Sequence, residues 1–287
     1  MIPASFDYIV PRSLKGAMDA LAKYGDDAKL LAGGHSLLPL MKLRLAQPGV
    51  LIDLKRLTKL RRIRQADGHV QVGSLVTHHQ LETSRVIKSK FGLLAKTAVT
   101  IGDTQVRNRG TVGGSIAHAD PAADLPAAML ALGADVLLTG PSSERWVALE
   151  EFFLGPLTTA LEPTEILTTI RLPAASPGTG SSYHKVKQPA SGFAIVGVAV
   201  RLVMQGEVCS EIGIGITGLG GAPFRARTVE DELRGKKLDA DLIDKAAVRV
   251  SENVDALDDI HASAEFRSHL ARLHTGRAIR DALASLR

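Results

Sequence analysis

The sequence predicts a two-domain protein of the α+β class, and three observations support this prediction. The chain has 287 residues, which exceeds the length of one typical domain. Segment 173–182 is rich in Pro, Gly and Ser, the composition of an exposed connection, so we place the boundary between residues 1–176 and 177–287. Helical and strand patterns alternate before this segment, whereas strands precede helices after it.

Local signals define the elements of the first domain. Ser13 can cap a helix over 14–24, which repeats apolar residues at helical spacing and ends at Gly25. The elements that follow begin with the pattern of a small βαβ unit. They are a strand over 29–32, a helix over 37–45, strands over 50–54 and 69–73, a helix opened by a capping box at Thr77 and Gln80, a helix begun by Asp120 and Pro121, and strands over 135–138 and 165–172.

The second domain has its own sequence of elements. Strand patterns cover 193–203 and 211–219, and the second of them alternates isoleucine with glycine. Helical patterns extend from about residue 242 to the end of the chain. Strands followed by helices again indicate the α+β class.

Composition limits the possible functions. Hydrophobic residues make up 45% of the chain and charged residues 23%, as in typical globular proteins. The net charge of +5 would favour an acidic partner or an anionic cofactor. The densest basic run, 55–64, spaces its apolar residues three apart and contains no aromatic side chain for base stacking. It therefore predicts a solvated amphipathic face rather than a nucleic-acid surface.

Cysteine and histidine usage exclude further chemistry. Cys209 is the only cysteine, so the chain can neither form an internal disulfide nor ligate an iron–sulfur cluster by itself. His78 and His79 lack a third ligand at metal spacing, so we expect no metal site. The amino terminus lacks the pattern of a signal peptide, and no apolar run approaches 18 residues. We expect a cytoplasmic protein without a membrane span.

Two glycine pairs are the most informative local motifs. Residues 32–36 read AGGHS after a predicted strand, and residues 111–115 read TVGGS. A residue without a Cβ lets backbone N–H groups approach a pyrophosphate, and a following helix N-terminus adds partial positive charge. One such pair is usually a turn, but two pairs that each end in a hydroxyl residue indicate a phosphate-rich cofactor. Arg107 and Arg109 flank the second loop and are interpreted as solvent-facing.

Longer strings make a family resemblance specific. Segments 32–39 (AGGHSLLP), 107–126 (RNRGTVGGSIAHADPAADLP) and 183–188 (YHKVKQ) resemble the medium, flavoprotein subunits of carbon monoxide dehydrogenase and related molybdenum hydroxylases. The similarity spans essentially the whole chain and extends to the FAD domain of xanthine dehydrogenase. It implies a two-part FAD-binding domain of the vanillyl-alcohol-oxidase (PCMH) type, followed by a smaller α+β C-terminal domain.

The resemblance also implies roles in binding FAD, which we expect to be non-covalent. The two glycine loops would cradle the pyrophosphate with the help of the Thr111 and Ser115 hydroxyls. Asp124 matches an acidic residue that meets the ribityl or ribose hydroxyls, Lys187 a lysine close to the isoalloxazine, and Leu167 an apolar contact on the ring system. The full implied set is Ala32, Gly33, Gly34, His35, Ser36, Leu37, Ile101, Thr111, Val112, Gly113, Gly114, Ser115, Asp124, Leu167 and Lys187.

The function implied by the resemblance is electron transfer. FAD on this chain would accept electrons from [2Fe–2S] clusters of a small subunit and deliver them to a quinone, NAD or another acceptor. Substrate hydroxylation would take place on a molybdopterin-binding large subunit, in a dimer of heterotrimers. No residue of this chain would then act as a catalytic acid or base.

Two alternatives stay open at this point. A self-contained FAD-dependent oxidase or dehydrogenase of the same fold would act on its own small organic substrate and would need a cavity with a base. A non-enzymatic anion-binding module would use the glycine pairs only as turns, and bound flavin would exclude it.

Overall fold

The computed structural model of the chain describes residues 1–66 and 68–286. Its helices are α1 (Leu14–Tyr24), α2 (Leu37–Lys42), α3 (His78–Thr83), α4 (Arg85–Lys90), α5 (Gly92–Val99), α6 (Thr104–Arg109), α7 (Val112–His118), α8 (Asp124–Ala131), α9 (Leu149–Phe152), α10 (Arg227–Leu233), α11 (Ala240–Val248) and α12 (Ala264–Ala284). Its strands are β1 (Asp7–Ile9), β2 (Ala28–Leu31), β3 (Val50–Asp53), β4 (Ile63–Ala66), β5 (His69–Gly73), β6 (Asp135–Thr139), β7 (Glu144–Ala148), β8 (Phe153–Gly155), β9 (Thr158–Thr159), β10 (Ile166–Leu172), β11 (Thr179–Lys187), β12 (Ala194–Gln205), β13 (Val208–Thr217) and β14 (Phe224–Arg225). Within the described ranges, no helix is both long and apolar enough to cross a membrane.

A small parallel sheet forms the N-terminal part of the chain. β1 and β2 both pair with β3 in parallel, and α2 joins β2 to β3, which confirms the predicted βαβ unit. α1 has its predicted bounds, because Ser13 Oγ accepts a hydrogen bond from Gly16 N at 3.0 Å. α2 ends at Lys42 rather than at residue 45, since Arg44 adopts the left-handed conformation with φ 59°.

An antiparallel sheet follows, in the order β4-β5-β10-β6-β7. β10 lies at its centre between β5 and β6, and the packed helices α5, α7 and α8 contribute to one large apolar core with it. The predicted capping box opens α3: Gln80 N donates to Thr77 Oγ1 at 3.1 Å, and Thr77 N donates to Gln80 Oε1 at 2.9 Å.

The helix predicted to begin at Asp120 and Pro121 begins instead at Asp124. Asp120 Oδ1 accepts a hydrogen bond from Ala122 N at 2.8 Å, which makes a turn and caps no helix. The Pro121 carbonyl accepts the Thr217 hydroxyl of β13 at 2.6 Å. A tertiary contact therefore fixes this turn, and Asp124 becomes the first residue of α8.

α8 is buried along its whole length: it packs against the C-terminal sheet, β11-β12-β13-β14, and shares the large apolar core with α5, α7 and the antiparallel sheet. A Cβ added to Gly213 or Gly215 of β13 would lie 2.1 or 1.9 Å from the carbonyl oxygens of Ala131 or Ala127 in α8. The alternating isoleucines of β13 belong to a second core with α10, α11 and α12. The glycines of β13 thus allow close contact with α8 on one face of the strand, and the isoleucines pack into the second core on the other face.

β11 begins inside the segment that the sequence marked as a linker. The boundary predicted between residues 176 and 177 lies just before this strand, but Thr179 to Ser182 already pair with β12. Gly180 is needed for packing, because a Cβ there would lie 2.1 Å from the Ala282 carbonyl oxygen of α12. Composition alone could not separate a packing glycine from a linker glycine.

The two faces of β11 meet different neighbours. On one face, Ser182 Oγ donates to the Ala278 carbonyl of α12 at 2.6 Å, and His184 Nε2 lies 2.8 Å from a carboxylate oxygen of the same helix. On the other face, Tyr183 and Lys185 extend towards α8. The strand therefore connects the C-terminal helices to the first domain.

Candidate functional site

A cleft opens where the parallel sheet, the antiparallel sheet and the C-terminal sheet meet. Its volume is about 570 Å³, within the usual range for small-molecule sites. Of the residues expected to contact FAD, those that line the cleft are Ala32, Gly33, Gly34, His35, Ser36, Leu37, Ile101, Thr111, Gly113, Gly114, Ser115, Asp124 and Leu167. Val112 and Lys187 do not line it.

The first glycine loop offers backbone donors to the cleft. Among the described residues, no protein acceptor is hydrogen-bonded to the backbone N–H groups of residues 33–37. Gly34 has φ 79°, a conformation that favours glycine, and the loop leads directly into α2. Successive N–H groups of this kind form an anion-binding concavity, so this loop can receive a pyrophosphate.

The second glycine loop uses its N–H groups internally. Gly113 N donates to Ser74 O at 2.8 Å. Gly114 N donates at 3.1 Å to Thr111 Oγ1, which caps α7. Val112 is fully buried behind the wall. Only the first loop therefore has unbonded N–H groups available for an anion, while Thr111, Gly113, Gly114 and Ser115 of the second loop line the cleft.

The two loops touch each other through a glycine. A Cβ on Gly33 would lie 2.3 Å from the Arg109 carbonyl oxygen and 2.9 Å from Gly110 Cα. No side chain fits at such a distance from backbone. Gly33 is therefore required for the loops to meet and close one side of the cleft.

Asp124 is paired within the protein. Its Oδ2 accepts Lys185 Nζ at 2.8 Å, and its Oδ1 accepts the Tyr183 hydroxyl at 2.5 Å. Lys185 Nζ also donates at 3.1 Å to the carbonyl of Thr100, which precedes Ile101 on the cleft wall. Both charged side chains are buried, with 6% of Lys185 and 5% of Asp124 exposed. This ion pair joins α8, the 100–102 loop and β11 around the cleft.

Burial and the neighbouring positive charge shift the pKa of Asp124 in opposite directions. Burial raises the pKa of its carboxyl, and the Lys185 ammonium partly offsets this rise. Burial likewise raises the pKa of Tyr183, and the adjacent Asp124 carboxylate raises it further. Tyr183 therefore stays a neutral hydrogen-bond donor near neutral pH.

Sequence reasoning missed three residues of this region: Lys185, Tyr183 and Phe193. Lys185 is buried beside the cleft, whereas Lys187, which was expected at the isoalloxazine, is exposed and does not line the cleft. Tyr183 completes the buried cluster, and Phe193 lines the cleft with 46% of its surface exposed. The period-two spacing of 183, 185 and 187 along a strand was the available signal, but spacing alone does not show which position meets α8.

Arg107 is not solvent-facing as expected. Its Nε donates to Glu82 at 2.9 Å, and one terminal nitrogen donates to the Ile101 carbonyl at 3.1 Å. Only 14% of its side chain is exposed. Arg107 therefore supports the cleft wall at Ile101, while Arg109 is exposed as expected.

His78 forms part of the cleft wall and is buried. Its Nδ1 has no hydrogen-bond partner in the part of the chain that the structure describes. Burial, with smaller electrostatic contributions from His35 and Arg107, lowers the pKa of His78 to about 4. The folded protein therefore holds a neutral imidazole at neutral pH.

His78 is expected to make stability dependent on pH. A lowered pKa in the folded state gives stabilisation that is complete above pH 6.5 and is lost as the pH falls from 6.5 towards 4. The free energy of unfolding, measured in urea, should fall because of this group by up to about 1.4 kcal/mol for each pH unit below 6.5. His78→Gln should remove this contribution to the pH dependence of the unfolding free energy. His79→Gln should keep it, because 43% of the His79 side chain is exposed. Identical slopes for His78→Gln and the unchanged protein would contradict the assignment.

These features fit FAD. The first loop supplies free N–H donors for phosphates, Gly33 allows close backbone approach, and the apolar side chains of Ile101 and Leu167 line the same cleft. Within the described ranges, no group of three or more His, Cys, Asp or Glu side chains is placed to hold a metal ion.

Family comparisons agree with this geometry. A family model described as the FAD binding domain in molybdopterin dehydrogenase matches residues 4–175, and one described as the CO dehydrogenase flavoprotein C-terminal domain matches residues 181–282. The carbon monoxide dehydrogenase medium chain of Hydrogenophaga pseudoflava is 39% identical over 284 residues, which cover 99% of each chain. The chain belongs to the FAD-binding medium subunits of the molybdenum hydroxylase family.

A solved structure and a relative with a different name extend this comparison. A solved structure of carbon monoxide dehydrogenase from Hydrogenophaga pseudoflava, which lacks the Mo-pyranopterin moiety of its cofactor, superimposes with a TM-score of 0.97 at 40% identity over 99% of both chains. The glyceraldehyde dehydrogenase medium chain of Sulfolobus acidocaldarius is 35% identical over 281 residues, covering 98% of this chain and 99% of that one. The predicted α+β fold, with an FAD-binding domain and a C-terminal flavoprotein domain, is confirmed, and FAD is the cofactor.

Proposed function

We propose that this flavoprotein subunit passes electrons from [2Fe–2S] clusters of a small partner subunit, through FAD, to an external acceptor. A molybdopterin-binding large subunit would carry out substrate hydroxylation, and the assembly would be a dimer of heterotrimers. Support comes from the family of the chain and from the names of its full-length relatives, which include carbon monoxide and glyceraldehyde dehydrogenase medium chains. In this proposal the molybdopterin-binding subunit, where hydroxylation would take place, sets the substrate of the holoenzyme.

The observation that carries the proposal is the first glycine loop, with its consecutive unbonded N–H groups at residues 33–37. In this role the loop binds the pyrophosphate, and Thr111 and Ser115 of the adjoining second loop line the same cleft. The Asp124–Lys185 pair fixes the 100–102 loop of the cleft to α8 and to β11 of the C-terminal domain. Bound FAD would supply the electron-carrying chemistry, and the residues of this chain would bind it, orient it and exclude water.

The test is an absorption spectrum of the natively purified complex before and after acid precipitation. The proposal expects releasable FAD on this chain, together with partner chains that carry iron–sulfur clusters and molybdenum. Anaerobic reduction through those partners, followed by mixing with a benzoquinone or with NAD⁺, then identifies the acceptor by reoxidation of the flavin bands. FAD on a chain that purifies alone and turns over a small organic substrate would instead establish a self-contained oxidoreductase.

A further inference from the structure

The net positive charge of the chain arises from one segment. The chain contains 35 Lys and Arg against 30 Asp and Glu. Residues 55–64 hold six of these basic residues and no acidic one, which leaves 29 basic and 30 acidic residues in the rest of the chain. The entire basic excess of the protein therefore lies in ten consecutive residues.

These six side chains form an exposed surface, called here the basic surface: Lys55, Arg56, Lys59, Arg61, Arg62 and Arg64. Lys55 pairs with Asp53 at 3.5 Å, and a terminal nitrogen of Arg61 donates to a backbone carbonyl. Within the described residues, the side chains of Arg56, Lys59 and Arg62 make neither an ion pair nor a hydrogen bond. None of the residues that the structure describes neutralises the charge of these three side chains.

The basic surface rests on a fixed backbone. Leu57 is buried in a third apolar core, called here the N-terminal core, which α1 and the small parallel sheet share, and Leu60 packs against the same core. The Leu60 carbonyl accepts Leu75 N at 2.9 Å, and a Cβ on Gly73 would lie 2.2 Å from that carbonyl oxygen. The cations therefore project from a rigid platform and not from a solvated tail.

The platform is continuous with the wall of the FAD cleft. Leu54, the residue before the basic surface, lines the cleft, and so does Leu75, which holds the Leu60 carbonyl. An electron donor must approach this cleft. We propose that the basic surface docks an acidic face of the iron–sulfur partner subunit and steers it to the cleft; this inference rests on the proposed function.

The same residues disfavour other polyanions as the occupant. A surface for single-stranded nucleic acid interleaves cations with aromatic residues, and residues 55–64 contain none. A membrane-surface segment exposes an apolar face next to its cations, whereas Leu57 is buried and Leu60 and Ile63 are partly buried against the two cores. An acidic protein surface requires neither feature.

The test compares assembly rates of the full-length, FAD-loaded chain with its iron–sulfur partner subunit at about 0.05 M and about 0.5 M NaCl. The triple charge reversal Arg56→Glu, Lys59→Glu, Arg62→Glu is expected to slow association at low salt by about tenfold or more and to remove most of its salt dependence. The control Lys237→Glu, Lys245→Glu, Arg277→Glu makes the same change in net charge on the C-terminal domain. It should stay within about twofold of the unchanged protein.

The outcomes separate this inference from the proposed function. Wild-type association rates for the Arg56, Lys59, Arg62 variant, in a complex that still carries FAD and assembles, overturn the docking site alone. The docking site is also overturned if the variant associates normally with the iron–sulfur subunit but no longer binds vesicles of anionic lipid or duplex DNA. The basic surface would then bind a membrane or a nucleic acid. A wild-type chain that binds FAD but assembles with no iron–sulfur partner overturns the proposed function together with this inference.

Discussion

Replacing Gly33 by valine is expected to abolish stoichiometric FAD binding. The new Cβ would lie 2.3 Å from the Arg109 carbonyl oxygen, so the two glycine loops must separate. Overpacking alone costs about 1–3 kcal/mol, and each hydrogen bond to a charged group that the displaced N–H donors lose costs about 1.5–3 kcal/mol. A total of about 3 kcal/mol or more lowers the affinity by about 100-fold. Flavin absorbance per purified chain, after titration with FAD, measures the loss.

A matched substitution tests whether this effect comes from the contact. Gly92 begins α5, and a Cβ there would meet no atom within 4 Å. Gly92→Val should therefore keep its FAD. Both variants should retain the circular dichroism of the unchanged chain. A folded Gly33→Val protein with one FAD per chain would show that the contact between the loops is not needed for the site.

Breaking the buried ion pair is expected to have the largest effect on stability. Lys185→Met leaves the Asp124 carboxylate buried without its cation, and removing one partner of a buried pair typically costs about 3–5 kcal/mol. Since burial already raises the pKa of Asp124, loss of the cation should raise it further. A carboxyl with a raised folded pKa destabilises as the pH rises through that pKa. The loss in unfolding free energy caused by Lys185→Met should therefore be greater near pH 8 than near pH 4. Urea unfolding at the two pH values measures this difference.

Two companion variants separate the ion pair from other effects. Lys187→Met changes the same residue type on an exposed position of the same strand and should alter unfolding by no more than about 0.5 kcal/mol. Its FAD content should be unchanged, and its reduction potential tests the proposed contact with the isoalloxazine. The double variant Asp124→Asn, Lys185→Met removes both charges and should recover much of the loss. Equal urea midpoints for Lys185→Met and Lys187→Met would refute the importance of the pair.

The parts of the fold that sequence reasoning predicted well are set by short-range chemistry. The Ser13 cap and the Thr77–Gln80 capping box involve residues three apart, so their hydrogen bonds are encoded locally. The glycine loops were found for a related reason, since both glycine pairs are contiguous in the chain. The N–H groups of the first loop have no acceptor within the described residues, which leaves them available to an anion.

The parts that were mispredicted depend on partners far along the chain. Asp120 fails to cap a helix because a turn at Pro121 is fixed by Thr217, almost one hundred positions away. Sequence reasoning also missed the buried Lys185, because its place is set by the position of Asp124 against β11. Sequence patterns carry the period of a strand but not its register against a helix of another domain, so these assignments needed three-dimensional contacts.

The alternation of β11 makes this strand unusually sensitive to changes in chain length. Its even-numbered residues Ser182 and His184 bind α12, and its odd-numbered residues Tyr183 and Lys185 bind Asp124. Insertion or deletion of one residue before Ser182 would exchange the two faces, bringing an imidazole to the buried carboxylate and an ammonium to α12. Exposed loops away from the cleft tolerate changes in length at little cost, whereas a one-residue change within this strand would break its contacts on both faces.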